Sequence, residues 1–284
     1  MKRKRLTKKD LPILFLAVIL LAGIAFSGWK LYGIFSDYRR SQEIYEAAAS
    51  QYTARREAEY DIAAKTAPAS ESDAPEDEKS CGFLRIDQVC GFSVDFENLW
   101  RTNPDIVAWI SAPDTVIDYP VLLGEDNDTY IHTTWEGSYA ASGSIFINSR
   151  MRGDLSDPVT IVYGHNMKSG AMFHSLKGYM QQSYYDEHPY IWYVTPDEYY
   201  ILYVIAGYQA DTSDAAYDDK TSEEVRQFIE EARGKSCFSA TWIVDGHDAD
   251  EIAKTAKHAV VLSTCSTASE NARYVIVAVP LLAK

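Results

Sequence analysis

Residues 258–280 read HAVVLSTCSTASENARYVIVAVP. Two aliphatic, β-branched runs stand on either side of a polar segment, which predicts two neighbouring antiparallel strands. The first run ends in Ser-Thr-Cys, and a strand that terminates there puts the thiol of Cys265 at the sheet's edge, within reach of a substrate. Arg273 opens the second run, so a hairpin connection returns it beside that thiol. Working outward, six more runs have the same character: IVAWI (106–110), VIDYPVLL (116–123), GSIFIN (143–148), VTIVYG (159–164), YIWYV (190–194) and YYILYVIAGYQ (199–209). About eight strands without regular βαβ alternation predict a mainly β domain, either a closed barrel or a sandwich. Two helices are expected to interrupt it, one near Phe96–Trp100 and one over Ser222–Ala232. In the second, Val225, Phe228 and Ile229 form an apolar stripe, with Gly234 as a stop.

A thiol nucleophile needs a group that takes its proton. Among the six histidines, His165 stands out because it also ends a strand run, VTIVYG-His-Asn-Met. His174 follows closely in MFHSL. His132, His188, His247 and His258 sit in turns, an acidic loop or the start of a strand. Arg273 supplies a permanently charged guanidinium for an oxyanion or a substrate carbonyl. Ser263, Thr264 and Ser266 flank the thiol as candidate substrate-binding residues, although strand-end hydroxyls also satisfy local backbone groups. Asn166 next to His165 is a candidate for orienting a loop. Glu270 is a candidate partner for Arg273 or His165.

The N-terminus carries a different signal. Asp10 and Lys30 bracket nineteen uncharged residues, LPILFLAVILLAGIAFSGW (11–29), enough for roughly 28 Å of helix and so for one crossing of a bilayer. Six basic residues within positions 2–9 place the N-terminus in the cytoplasm and the remainder outside. The rival reading is a cleaved signal peptide, which has a shorter apolar core and a small-residue cleavage site; Ala25-Phe26-Ser27 is a weak match. Residues 30–65 are expected to form a helical, solvated stalk with a thin apolar face at Ile44, Ala48 and Tyr52. Residues 66–80 (TAPASESDAPEDEKS) are expected to be a flexible acidic linker, with the folded domain over 81–284.

The chain of 284 residues carries a net charge of −14. An acidic body of this kind excludes a general nucleic-acid-binding role, because phosphate backbones need basic surface. Four cysteines, Cys81, Cys90, Cys237 and Cys265, lack zinc-ligand spacing. In an oxidising compartment Cys81 and Cys90 could pair, and Cys237 is structural or free.

Several of these stretches together resemble the sortases, and most of all the class B sortases of Gram-positive bacteria. TVIDYPVL (115–122), SGSIFIN (142–148), IVYGHNM (161–167) with Met172-Phe173, LSTC (262–265) and RYVIVA (273–278) match the family pattern in order, over roughly residues 95–280. The family's TLxTC reads VLSTC here, with Val261 a β-branched exchange. The resemblance implies an eight-stranded sortase barrel with N-terminal helices and one helix before the cysteine strand, the place of the 222–232 segment. It implies a membrane-anchored cysteine transpeptidase with Cys265 as nucleophile, His165 as general acid/base and Arg273 as oxyanion or substrate stabiliser, and with no cofactor or required metal. The expected substrates are surface proteins with a C-terminal sorting motif (NPxTx- or LPxTG-like), cut after Thr through a thioacyl-enzyme. The expected acceptor is an amine of a peptidoglycan precursor or a pilin. The alternatives are an extracellular cysteine peptidase that releases product to water and a non-catalytic surface adhesin.

Overall fold

The computed structural model describes residues 11–55, 83–84, 92–266 and 271–283. All eight anticipated strands are present: β1 (Ile106–Ser111), β2 (Asp118–Leu122), β3 (Ile145–Ile147), β4 (Val159–Tyr163), β5 (Tyr190–Val194), β6 (Tyr199–Asp211), β7 (Ala259–Cys265) and β8 (Ala272–Ala283). They close into one barrel in the order β7-β8-β6-β5-β1-β2-β3-β4, with β4 returning to pair in parallel with β7. The choice between barrel and sandwich is therefore settled by that last pairing.

Side-chain alternation divides the barrel strands between two cores. From β7, Val260 and Leu262 join Trp109, Ile110, Val121 and Leu122 in the first. Ala259 and Val261 join Ile161, Val275 and Val277 in the second, which is covered by the helix Val225–Lys235 through Val225, Phe228, Ile229 and Ala232. This helix starts three residues later than its composition suggests, because Glu224 accepts hydrogen bonds from the backbone and hydroxyl of Thr221 and holds a turn there. It also runs through Gly234, the expected stop, and ends at Lys235 with Ser236 as its cap. The short helix Phe96–Thr102 lies where expected. A further helix, Ala249–Thr255, leads into β7 and opens with a capping box of Asp248 and Glu251.

The largest departure concerns the N-terminal segment. A single helix, α1, runs unbroken over Leu11–Tyr52. Its first half is long and apolar enough to cross a membrane, and there Phe15, Leu20, Ile24 and Phe26 are exposed. Its last turns are docked on the barrel rather than solvated. Ser41, Tyr45 and Ala48 are buried. The Tyr45 hydroxyl donates to the Gly143 carbonyl at 2.6 Å and lies 3.1 Å from Ser144 Oγ. The Tyr45 ring meets Tyr119 edge-on at 5.2 Å, and Tyr52 meets Trp135 at 5.7 Å. Ser41 and Ser142 share a short hydroxyl–hydroxyl hydrogen bond. After Tyr52 the chain becomes extended, and Thr53–Arg55 pairs antiparallel with Phe92–Val94. A stalk continuing to residue 65, the linker 66–80 and a Cys81–Cys90 pairing fall outside the described residues.

Candidate active site

Cys265 and Arg273 are cross-strand partners in the β7–β8 ladder, so their side chains leave the sheet on the same face. On the other side of β7, Ser263 pairs with Tyr163 at the end of β4. Continuing that parallel register by two residues sets His165 level with Cys265. The three residues singled out from widely separated positions thus line one open groove of about 360 Å³, together with Ile131, Phe146, Tyr163 and Tyr217. Cys265 is exposed, as a nucleophile has to be, while the strand behind it is buried from Ala259 to Thr264.

His165 is half-buried, and its Nε2 lies 2.8 Å from the Ile131 carbonyl. A carbonyl can only accept, so Nε2 carries the hydrogen and the Nδ1 lone pair is the free one. Burial lowers the pKa of this imidazole below the ordinary 6.5, and the neighbouring His132, stacked on it at 5.8 Å and 13°, lowers it further; the Ile131 hydrogen bond opposes both. His165 is therefore neutral near pH 7 and fit to accept a proton.

The Ile131 segment is itself held by glycine. Gly143 has φ +52°, and the space where its Cβ would stand lies 2.1 Å from the Ile131 carbonyl oxygen. Only a residue without Cβ lets the two backbones approach this closely. The Ser144 N–H donates to the Tyr130 carbonyl at 3.0 Å, next to the carbonyl that holds His165.

The three hydroxyl residues around the thiol separate. Ser263, one alternation before Cys265, lines the groove, and its hydroxyl lies 2.7 Å from the Tyr217 hydroxyl. Burial pushes the Tyr217 phenol up to about 12, against the pull of the nearby Arg273 charge, so Tyr217 stays a neutral hydrogen-bonding group. Thr264 also lines the groove, with its hydroxyl buried and without a hydrogen-bond partner. Ser266 is buried and accepts from the Gln209 side chain at 3.1 Å; it is absent from the groove lining. Asn127, Thr212 and Tyr217 line the groove but were not among the candidates. Asn127 sits in a bend, Thr212 in a turn, and Tyr217 ends the single 3-10 turn Ala215–Tyr217, where no periodicity marks them. Glu270 lies outside the described residues. Cys237 is exposed and free, with its sulfur 3.8 Å from that of Met180, and takes no part in this groove.

A nucleophilic sulfur, an imidazole with its basic nitrogen free and a fixed cation at one groove can break an amide through a covalent intermediate. Comparison with known proteins points the same way. The Sortase domain family model matches residues 110–281. Sortase B of Listeria monocytogenes is 29% identical over 281 residues, covering 97% of each chain. A solved Staphylococcus aureus sortase B–substrate complex is 30% identical, with a TM-score of 0.58 over 66% of this chain and 85% of that one. The crystal structure of sortase B from Bacillus anthracis is 26% identical, with a TM-score of 0.63 over 88% of this chain and all of that one. With barrel, groove and family match in agreement, the chain belongs to the sortases, cysteine transpeptidases, and within them to class B.

Proposed function

We propose that this protein cleaves a C-terminal sorting motif of the NPxTx or LPxTG kind after its Thr and transfers the protein to an amine of a peptidoglycan precursor or a pilin. Cys265 Sγ attacks the Thr carbonyl carbon as its proton passes to His165 Nδ1. The oxyanion forms beside the Arg273 guanidinium, whose charge is permanent. Collapse breaks the C–N bond, and His165 returns the proton to the leaving amine, leaving a thioester on Cys265. The acceptor amine attacks that thioester, gives its proton to the same imidazole and restores the thiol. Ser263 and Tyr217 contact the peptide along the groove. Thr264 borders the groove beside Cys265, and Ser266, which lies outside it, supports the strand that presents the thiol.

The observation that carries this reading is the register placing Cys265 opposite Arg273, with His165 at the adjoining strand end of the same groove. Through α1 the enzyme is a single-pass membrane protein with a cytoplasmic N-terminus and an outward-facing barrel, as the basic residues at 2–9 direct. The test is a panel of sorting-motif peptides incubated with the full-length protein, with and without an amine acceptor. Mass spectrometry should find the N-terminal peptide fragment on Cys265 when the amine is left out, and a joined product when it is present. Product that forms only by hydrolysis in both cases would make the protein a peptidase. The absence of any adduct across the panel would reject the assignment of Cys265.

A further inference from the structure

The β4–β7 ladder stops just before the catalytic groove, and that creates an unmet need. In the last backbone bond between these strands, the Gly164 N–H donates to the Ser263 carbonyl at 3.2 Å. In a continuing parallel ladder, the next carbonyl of β7 on that side, that of Cys265, would receive the N–H of residue 166. The chain instead turns away into a loop closed by an Asn166–Met172 bridge and by Phe173 N–H donating to the His165 carbonyl at 3.0 Å. The side chain of Asn166 makes up the missing contact, its Nδ2 donating to the Cys265 carbonyl at 2.8 Å.

The orientation of that amide is determined from both ends. The Cys265 carbonyl can only accept, so the NH2 group of Asn166 faces it and Oδ1 points away. Oδ1 lies 2.8 Å from His174 Nδ1. His174 Nε2 lies 2.6 Å from Lys177 Nζ. An ammonium only donates, so Nε2 accepts and the imidazole hydrogen stands on Nδ1, aimed at Asn166. Partial burial, and then the charge of Lys177, lower the His174 pKa, which favours this neutral tautomer.

We propose that Asn166 is a positioning residue that fixes the peptide of Cys265, and that His174, its tautomer set by Lys177, holds the Asn166 amide in the donating orientation. The proposal rests on Cys265 being the nucleophile. It makes the loop after His165 serve both reacting groups: its first residue is the acid/base, and its second holds the carbonyl behind the thiol.

The test uses the full-length protein in detergent, a cleaved sorting-motif peptide and an amine acceptor. Kinetics are paired with the rate of Cys265 alkylation by iodoacetamide, read by peptide mapping. Asn166→Ala and the isosteric Asn166→Asp, which lacks the N–H, should each lower kcat about tenfold, leave KM within about twofold and change the Cys265 alkylation rate. His174→Ala should lower kcat less. His174→Asn, which places an amide N–H where Nδ1–H stood, should restore it. His174→Ala added to Asn166→Ala should have no further effect, because the two act as one unit. Wild-type kcat in both Asn166 variants would overturn the proposal, as would an equal effect of His174→Ala in the two backgrounds. Cys265→Ala, run alongside, separates the two levels: turnover by that variant would refute the nucleophile itself, whereas a dead Cys265→Ala with normal Asn166 variants would refute the positioning role alone.

Discussion

Replacing Gly143 by Ala should damage catalysis from a position that is not in the groove. The added Cβ would stand 2.1 Å from the Ile131 oxygen, 2.5 Å from the Tyr130 oxygen and 2.6 Å from the Ile131 carbonyl carbon. These are backbone atoms, so no side chain can swing aside. The Ile131 carbonyl would have to retreat by roughly 1.3 Å or more to reach ordinary contact. That oxygen is the partner of His165 Nε2 at 2.8 Å, so its retreat either breaks the bond or drags the imidazole with it. A misplacement of about 1 Å in a reacting group lowers turnover by up to about 10²-fold. The positive φ adds roughly 1–2 kcal/mol of strain for a residue with a Cβ, and the overpacking about 1–3 kcal/mol. At about 2–4 °C per kcal/mol for a domain of this size, Tm should fall by roughly 4–20 °C. The assay is transpeptidation kcat, measured well below the variant's own melting temperature as followed by circular dichroism. Gly153→Ala is the control, because its Cβ would meet Val107 at 2.5 Å on a part of the barrel that does not line the groove; it should lower Tm and spare kcat. A Gly143→Ala variant with kcat within twofold of wild type would refute the chain of reasoning from Gly143 through Ile131 to His165.

Four further outcomes are expected. Tyr45→Phe removes the hydroxyl that donates to the Gly143 carbonyl, and should destabilise the fold by about 1–2 kcal/mol, read as a shift in the denaturation midpoint at unchanged slope. His132→Ala should raise the His165 pKa, because it removes both a like-charged neighbour and part of the cover over the ring; NMR titration of the imidazole would show the shift, and an unmoved value would reject the coupling. The same depressed pKa has a sign in stability: below 6.5 the unfolded chain binds a proton at this position more readily than the folded one. The contribution is therefore whole above about pH 6.5 and is lost as pH falls from there through the folded pKa, so His165→Gln should flatten the acid limb of the stability profile. Arg273→Lys keeps the charge but loses the planar fork, and should lower kcat by about 10²-fold, measured with the thioester-forming half-reaction isolated by leaving out the amine.

The barrel and the meeting of Cys265, His165 and Arg273 at one groove were legible because each rests on a local pattern. Val260–Leu262 and Val275–Val277 announce strands by composition alone, and strand ends are where Cys265, His165 and Arg273 occur. The docked face of α1 was less visible. The face expected from hydrophobicity, Ile44, Ala48 and Tyr52, does pack against the core, but the docked face is wider and takes in Ser41 and Tyr45 beside it. That added part is held by hydroxyls bonded to the 142–144 segment, and an apolar pattern cannot report such bonds. The helix Ala249–Thr255 did leave a trace in the spacing of Asp248 and Glu251. Tyr217 and Lys177 left none, and Asn166 and His174 stood out only by closeness to His165, because the partners of all four are set by how the loops fold over the barrel and not by any repeat along the chain.

The uninterrupted course of α1 also determines where the enzyme can work. From Trp29, the end of the apolar run, to Ser41, the first buried docking residue, the helix climbs only about 18 Å. A rod of that length, clamped to the barrel at its upper end, gives the active groove a set working height above the lipid instead of a radius to sweep. Under the proposed function, a substrate tethered to the same membrane is then measured against a ruler: the spacer between its cleavage motif and the membrane has to bring the motif to that height, and lengthening or shortening it by a few residues should change the yield even when the motif is untouched.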